Sequence, residues 1–216
     1  LLQKLNVITV FAPLSENFSG MALKANDHNR FMLVNSNQSL GKQHFTICHE
    51  LYHLFIQADF TSQVCQTGKF DKKADINEYN ADVFASYLLL PTDGLLESIP
   101  NGEIEKKNIS LQTILYIEHF YSCSRRALLY RLKKLKLITD EGYDAYTKDI
   151  QKGALQNGYA IDLYKSGNHN TVIGDYGIIA KQLFDKEKVS ESHYYSLLAD
   201  LGIDITKIDE NQHGED

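Results

Sequence analysis

The chain has 216 residues, 43% of them hydrophobic, with 3 cysteines, no tryptophan and a formal net charge of −6. That apolar share suffices for one large or two small cores, and no stretch nears the roughly 18 apolar residues of a membrane span. Cys48, Cys65 and Cys123 are too few and too scattered for a disulfide framework, and no secretory signal opens the chain, so the expected location is the cytoplasm.

The opening LLQKLNV reads as the end of a helix. Residues 7–11, 21–24 and 31–34 are β-branched and aromatic runs, separated by the turn-rich segments SENFSG and NDHNR, and they predict three short strands. Residues 43–57 follow without Gly or Pro. Phe45, Ile47, Cys48, Leu51, Leu54, Phe55 and Ile56 recur there at helical spacing, so a helix is predicted. Within it stands His49-Glu50-Leu51-Tyr52-His53. Two imidazoles four residues apart share one face of a helix, one turn from each other, and both can reach a single Zn²⁺. Glu50 lies beside them, placed to take a proton from a zinc-activated water. Polar groups on so apolar a helix are costly unless they have partners, which argues against two merely solvated histidines.

Residues 58–76 are polar and read as a loop forming one lip of a cleft. Residues 77–90 predict a second helix, stopped by Pro91. Its Glu78 and Asp82 are one turn apart on one face. Catalytic zinc commonly has three protein ligands and one open position, so Glu78 would complete a His₂Glu set. Asp82 could then accept the remaining ring N–H of one ligand histidine and fix its tautomer. Acidic residues also favour helix N-termini for electrostatic reasons alone, so the pairing with the first helix is what gives Glu78 its meaning. Cys65 and Cys123 show no metal-ligand spacing, and Cys48 reads as a small buried hydrophobe. Three strands followed by two helices make an α+β domain over residues 1–100.

The two helices, FTICHELYHLF and EYNADVFASYLLLP, resemble those of the ImmA/IrrE family of bacterial metallopeptidases. The resemblance covers roughly residues 1–140. It implies a small zincin-like domain of the gluzincin kind, with a short sheet packed on two zinc-bearing helices. By motif position it makes His49, His53 and Glu78 the ligands of Zn²⁺ and Glu50 the catalytic carboxylate. Members of that family cleave transcriptional repressors, which implies a repressor protein as substrate. One position departs from the pattern: Tyr52 stands where the family often has glycine.

Residues 101–140 change character. An apolar helix over 111–120, a short turn at Tyr121-Ser122-Cys123-Ser124 and a second helix over 125–137 have helix-turn-helix spacing, with Ser124 as N-cap. The second helix carries Arg125, Arg126, Arg131, Lys133, Lys134 and Lys136. No acidic residue lies between Tyr121 and Ile138, so a basic element hides inside an acidic chain. The resemblance places a helix-turn-helix-like module here too. DNA contact through residues 121–138, docking of a substrate protein, or packing on the peptidase domain would each use such a helix.

Residues 141–216 are acidic and mainly helical in pattern, with helices expected over 174–184 and 190–201, the latter capped by Ser190. His169 and His193 read as isolated surface residues, and the tail HGED as frayed. The leading expectation is a zinc-dependent endopeptidase acting on a regulatory protein. The rival is a DNA- or protein-binding transcriptional regulator without peptidase activity, its metal structural or sensory.

Overall fold

The computed structural model describes residues 1–26, 29–199 and 201, so the HGED tail and the middle of the NDHNR turn lie outside the described residues. All three predicted strands form: β1 (Val7–Ala12), β2 (Gly20–Lys24) and β3 (Arg30–Asn35). Along β1 buried residues alternate with half-buried ones, as the period-2 geometry of a strand with one covered face requires. The fourth strand, β4 (Ser62–Cys65), arises inside the segment expected to be a loop. SQVC carries one β-branched residue and no apolar alternation, so its strand form comes from pairing with β2, Gly20 against Cys65 and Leu23 against Ser62. The fifth, β5 (Val172–Ile173), is a two-residue strand contributed by the C-terminal region.

The sheet order is β4-β2-β3-β1-β5; β1 and β3 run parallel and every other pair is antiparallel. Across one face lies α1 (Leu40–Phe55), the motif-bearing helix. Its Leu51 and Leu54 pack on Val7, Phe11, Met32 and Val34 of the sheet. The second predicted helix, α2 (Ile76–Leu89), lies against α1 and stops before Pro91, as expected. Its N-cap is Asp75, which accepts the amide protons of Asn77 at 2.7 Å and Glu78 at 3.3 Å. This cap fixes the turn that carries Glu78.

A second core is built by α3 (Thr92–Glu97), α4 (Asn101–Lys106), α5 (Leu111–Tyr121), α6 (Arg125–Lys134) and α7 (Asp140–Tyr146), around Leu90, Leu95, Ile114, Ile117, Leu128 and Leu132. Ser124 caps α6 through the amide of Ala127, as expected, and α6 ends at Lys134, three residues early. Lys136 there takes a left-handed backbone conformation, φ 59°, which ends the helix.

The remaining helices are α8 (Ile150–Gln156), α9 (Tyr176–Asp185) and α10 (Glu191–Ala199). Ser190 accepts the amide proton of His193, the cap expected for α10. The C-terminal region also folds back onto the first 60 residues. Besides β5, Ser166 bridges Ser39, and the Gln43 side chain donates to the carbonyl of Gly167 at 3.0 Å. Among the described residues no helix is long and apolar enough to cross a membrane.

Candidate metal centre

His49 and His53 lie one turn apart on α1 and are fully buried. Their outer ring nitrogens have separate partners. His49 Nδ1 lies 2.9 Å from Asp82 Oδ1, and a carboxylate only accepts, so Nδ1 carries a proton and Nε2 is the nitrogen turned toward Glu78. The carboxamide oxygen of Gln57 accepts from His53 Nδ1 at 2.5 Å, with the same result. The two Nε2 atoms face each other at 3.1 Å. Glu78, from the first turn of α2, brings Oε2 to 3.4 Å from His49 Nε2 and Oε1 to 3.3 Å from His53 Nε2.

Those three separations test whether a metal fits. A tetrahedral ion bound at about 2.0–2.1 Å holds its nitrogen and oxygen ligands roughly 3.3–3.4 Å apart. The two contacts to Glu78, one through each of its oxygens, match that edge length, and the two imidazole nitrogens stand slightly closer, at 3.1 Å. His49, His53 and Glu78 therefore suit a zinc-sized cation, and Cys65 joins them, with one ligand atom from each of the four residues within 4.8 Å of the others.

The surroundings hold this arrangement rigidly. Asp82 Oδ1 also accepts the amide proton of Gly68 at 2.8 Å, and Oδ2 that of Phe70 at 2.8 Å, so one buried carboxylate orients His49 and anchors the loop over the site. Tyr52 packs edge-on to His53 and against Phe84 of α2, so the bulky residue at the departing position fills the space between the ligand helices.

Glu50 is fully buried, and its Oε1 has no hydrogen-bond partner among the described residues. Burial raises its pKa to about 7, against the pull of the neighbouring imidazoles. A carboxylate stripped of water and left half unpaired is costly, and such groups concentrate where chemistry is done. Burial would lower the pKa of His49, but its hydrogen bonds to Asp82 and Glu78 outweigh that and raise it to about 9. For Glu78, burial works against ionisation, yet the two histidines hold its carboxyl far below the ordinary range.

Three contributors were not legible in the sequence. Gln57 sits at the C-terminal end of α1 with no motif to mark it. Cys65 arrives on the unforeseen β4, 1% exposed. Gly20 lies against Glu50: a Cβ there would stand 2.6 Å from Glu50 Oε1 and 2.6 Å from Thr46 Cγ2, so only glycine lets β2 approach.

The basic helix is divided. Arg125 and Arg131 are placed inside the fold rather than on its outer face. Arg125 makes a two-pronged pair with buried Glu118, at 2.6 and 2.8 Å. Arg131 bonds the carbonyl of Leu90 and the hydroxyl of Thr92 and stacks on Tyr87. Arg126, Lys133 and Lys134 are exposed. His44 Nδ1 contacts the carbonyl of Ser122, on the side of the α5–α6 turn.

Comparison with known proteins agrees with this geometry. No curated protein matches the chain. The description "IrrE N-terminal-like domain", of peptidase family M78, matches residues 3–133, which takes in α1, α2 and all but the last residue of α6. With more than half of its length matched and the motif residues gathered at one buried point, the chain belongs to the IrrE N-terminal-like peptidase family.

Proposed function

We propose that this protein is a zinc-dependent endopeptidase that cleaves a regulatory protein, a transcriptional repressor being the substrate the family resemblance favours. The observation that carries the reading is the approach of His49 Nε2, His53 Nε2 and the two Glu78 oxygens to within 3.1–3.4 Å, with the buried, half-unpaired Glu50 on the same helix. Bound zinc supplies a Lewis acid that acidifies water and polarises a scissile carbonyl. Glu50 takes the proton from the attacking water and delivers it to the leaving amine, and a carboxyl with a pKa near 7 suits both transfers. Asp82 keeps His49 in the tautomer that presents Nε2.

The substrate chain would be received on β4, the edge strand, by strand addition. A cleft of about 250 Å³ between β4 and α2, lined by Gln63, Val64, Glu78 and Tyr79, opens beside it. Arg126, Lys133 and Lys134 are the cations that α6 would offer to a protein or nucleic-acid partner.

Elemental mass spectrometry and cleavage assays test the reading together. About one zinc per chain is expected, lost in His53→Ala and Glu78→Ala. Glu50→Gln should keep the zinc and abolish cleavage of the repressor. A well-folded wild type that takes up no zinc when it is supplied would overturn the peptidase assignment.

A further inference from the structure

The sulfur of Cys65 occupies a chemically loaded position. Cys65 ends β4, held in register by its pairing with Gly20, and its side chain points inward and is 1% exposed. Its S–H lies 3.6 Å from Glu50 Oε2 and 3.4 Å from Glu78 Oε1. The attacking water of a zinc peptidase must satisfy two conditions: it lies within reach of the general base, and it sits beside the ligand set. Sγ meets both. A thiolate at about 2.3 Å and a carboxylate oxygen at about 2.0–2.2 Å on one tetrahedral zinc stand roughly 3.5 Å apart, close to the separation from Glu78. One ligand atom from each of His49, His53, Cys65 and Glu78 lies within 4.8 Å of the others, so the sulfur belongs to the same convergent set.

We propose that Cys65 is a fourth protein ligand whose sulfur takes the place of the attacking water, so that the resting centre is closed. The proposal rests on the peptidase reading above. In the closing step the metal–sulfur bond forms, the metal–water bond breaks, and the thiol proton leaves to solvent; no electron is transferred. Four protein ligands make a centre of the structural kind, and hydrolysis requires the open fourth position of a catalytic one. Because β4 is an edge strand, held on one side only by β2, the sulfur rides on the part of the sheet least restrained against moving.

Cobalt substitution of the full chain reads this directly. Wild type loaded with Co²⁺ should show an intense thiolate-to-metal charge-transfer band in the near ultraviolet, lost in Cys65→Ser and retained in Cys48→Ser. Acetohydroxamate, which needs an open coordination position, should perturb the visible cobalt bands of Cys65→Ala and leave those of wild type unchanged. Zinc-edge X-ray absorption of the wild type needs no variant and should find one sulfur at about 2.3 Å. Visible cobalt bands without the charge-transfer band, or hydroxamate binding equally to wild type, would overturn the thiol closure while leaving the peptidase centre intact. A folded wild type that binds neither cobalt nor zinc would overturn both readings at once.

Discussion

Asp82 accepts the Nδ1 proton of His49 at 2.9 Å with the same carboxylate that ties down the amides of Gly68 and Phe70. One residue thus couples the aim of a ligand nitrogen to the position of the loop above it. Asp82→Ala should weaken zinc binding by about 10–100-fold, the usual effect of losing a carboxylate that orients a ligand histidine. Asp82→Asn, which keeps one acceptor oxygen, should lose less. Competition against a chromophoric zinc chelator measures both, and an unchanged affinity in Asp82→Ala would remove the residue from the site.

Gly20 sets the distance between β2 and the general base. In Gly20→Ala the new methyl meets Glu50 Oε1 and Thr46 Cγ2 at 2.6 Å, and the carbonyl of Leu33 at 3.2 Å, so Glu50 must turn away. Zinc content should stay at one per chain while cleavage falls at least tenfold, because a displaced base loses its reach to the attacking water. Loss of zinc from this variant would mean that the strand, rather than Glu50, gives way.

The metal-free protein should lose stability as pH rises from about 5 to 9. Glu50 and His49 both bind their protons more tightly in the folded state, at pKa about 7 and about 9. A raised pKa stabilises the fold below the unfolded value and ceases to do so as pH climbs through the folded one, so the losses run over about 4.5–7 for Glu50 and 6.5–9 for His49. Glu78 acts in the opposite sense, its stabilisation fading only as pH falls below about 4.5. Thermal melts with a chelator should show the decline at alkaline pH. Saturating zinc should flatten it, since the metal then replaces the proton between the ligands.

Arg125 and Arg126 are neighbours in sequence with opposite fates. Arg125→Ala leaves the buried Glu118 carboxylate without its guanidinium and should cost about 3–5 kcal/mol in urea unfolding. Arg126→Ala, on the exposed side, should change stability by less than about 0.5 kcal/mol. If α6 meets duplex DNA, Arg126, Lys133 and Lys134 are the positions where substitution would reduce the salt dependence of binding.

Much of the site was readable because helical periodicity ties residue spacing to direction. His49, His53 and Glu50 on one helix, and Glu78 and Asp82 on the next, needed only the knowledge that four residues make about one turn. The three apolar strands were equally plain. What stayed hidden depended on partners distant in sequence. SQVC becomes a strand because β2 offers an edge, and only then does Cys65 face the histidines. Gly20 is constrained by a side chain 30 residues away, as the 2.6 Å approach to Glu50 shows. The charge run on α6 misled in a related way. Composition registers five cations, whereas Glu118, Leu90 and Thr92 draw two of them inward.

The two-residue strand β5 has a consequence for how this chain can be divided. Val172 and Ile173 cover the outer edge of β1, and the amide of Phe11 is taken by the carbonyl of Thr171. A fragment that stops after α6 keeps His49, His53, Cys65 and Glu78 yet uncovers the backbone donors and acceptors of VITVFA, a β-branched and aromatic run well suited to pairing with its own copies. The C-terminal region therefore does more than extend the chain: it seals one margin of the sheet and leaves the opposite margin, where Cys65 lies, as the one open to another chain.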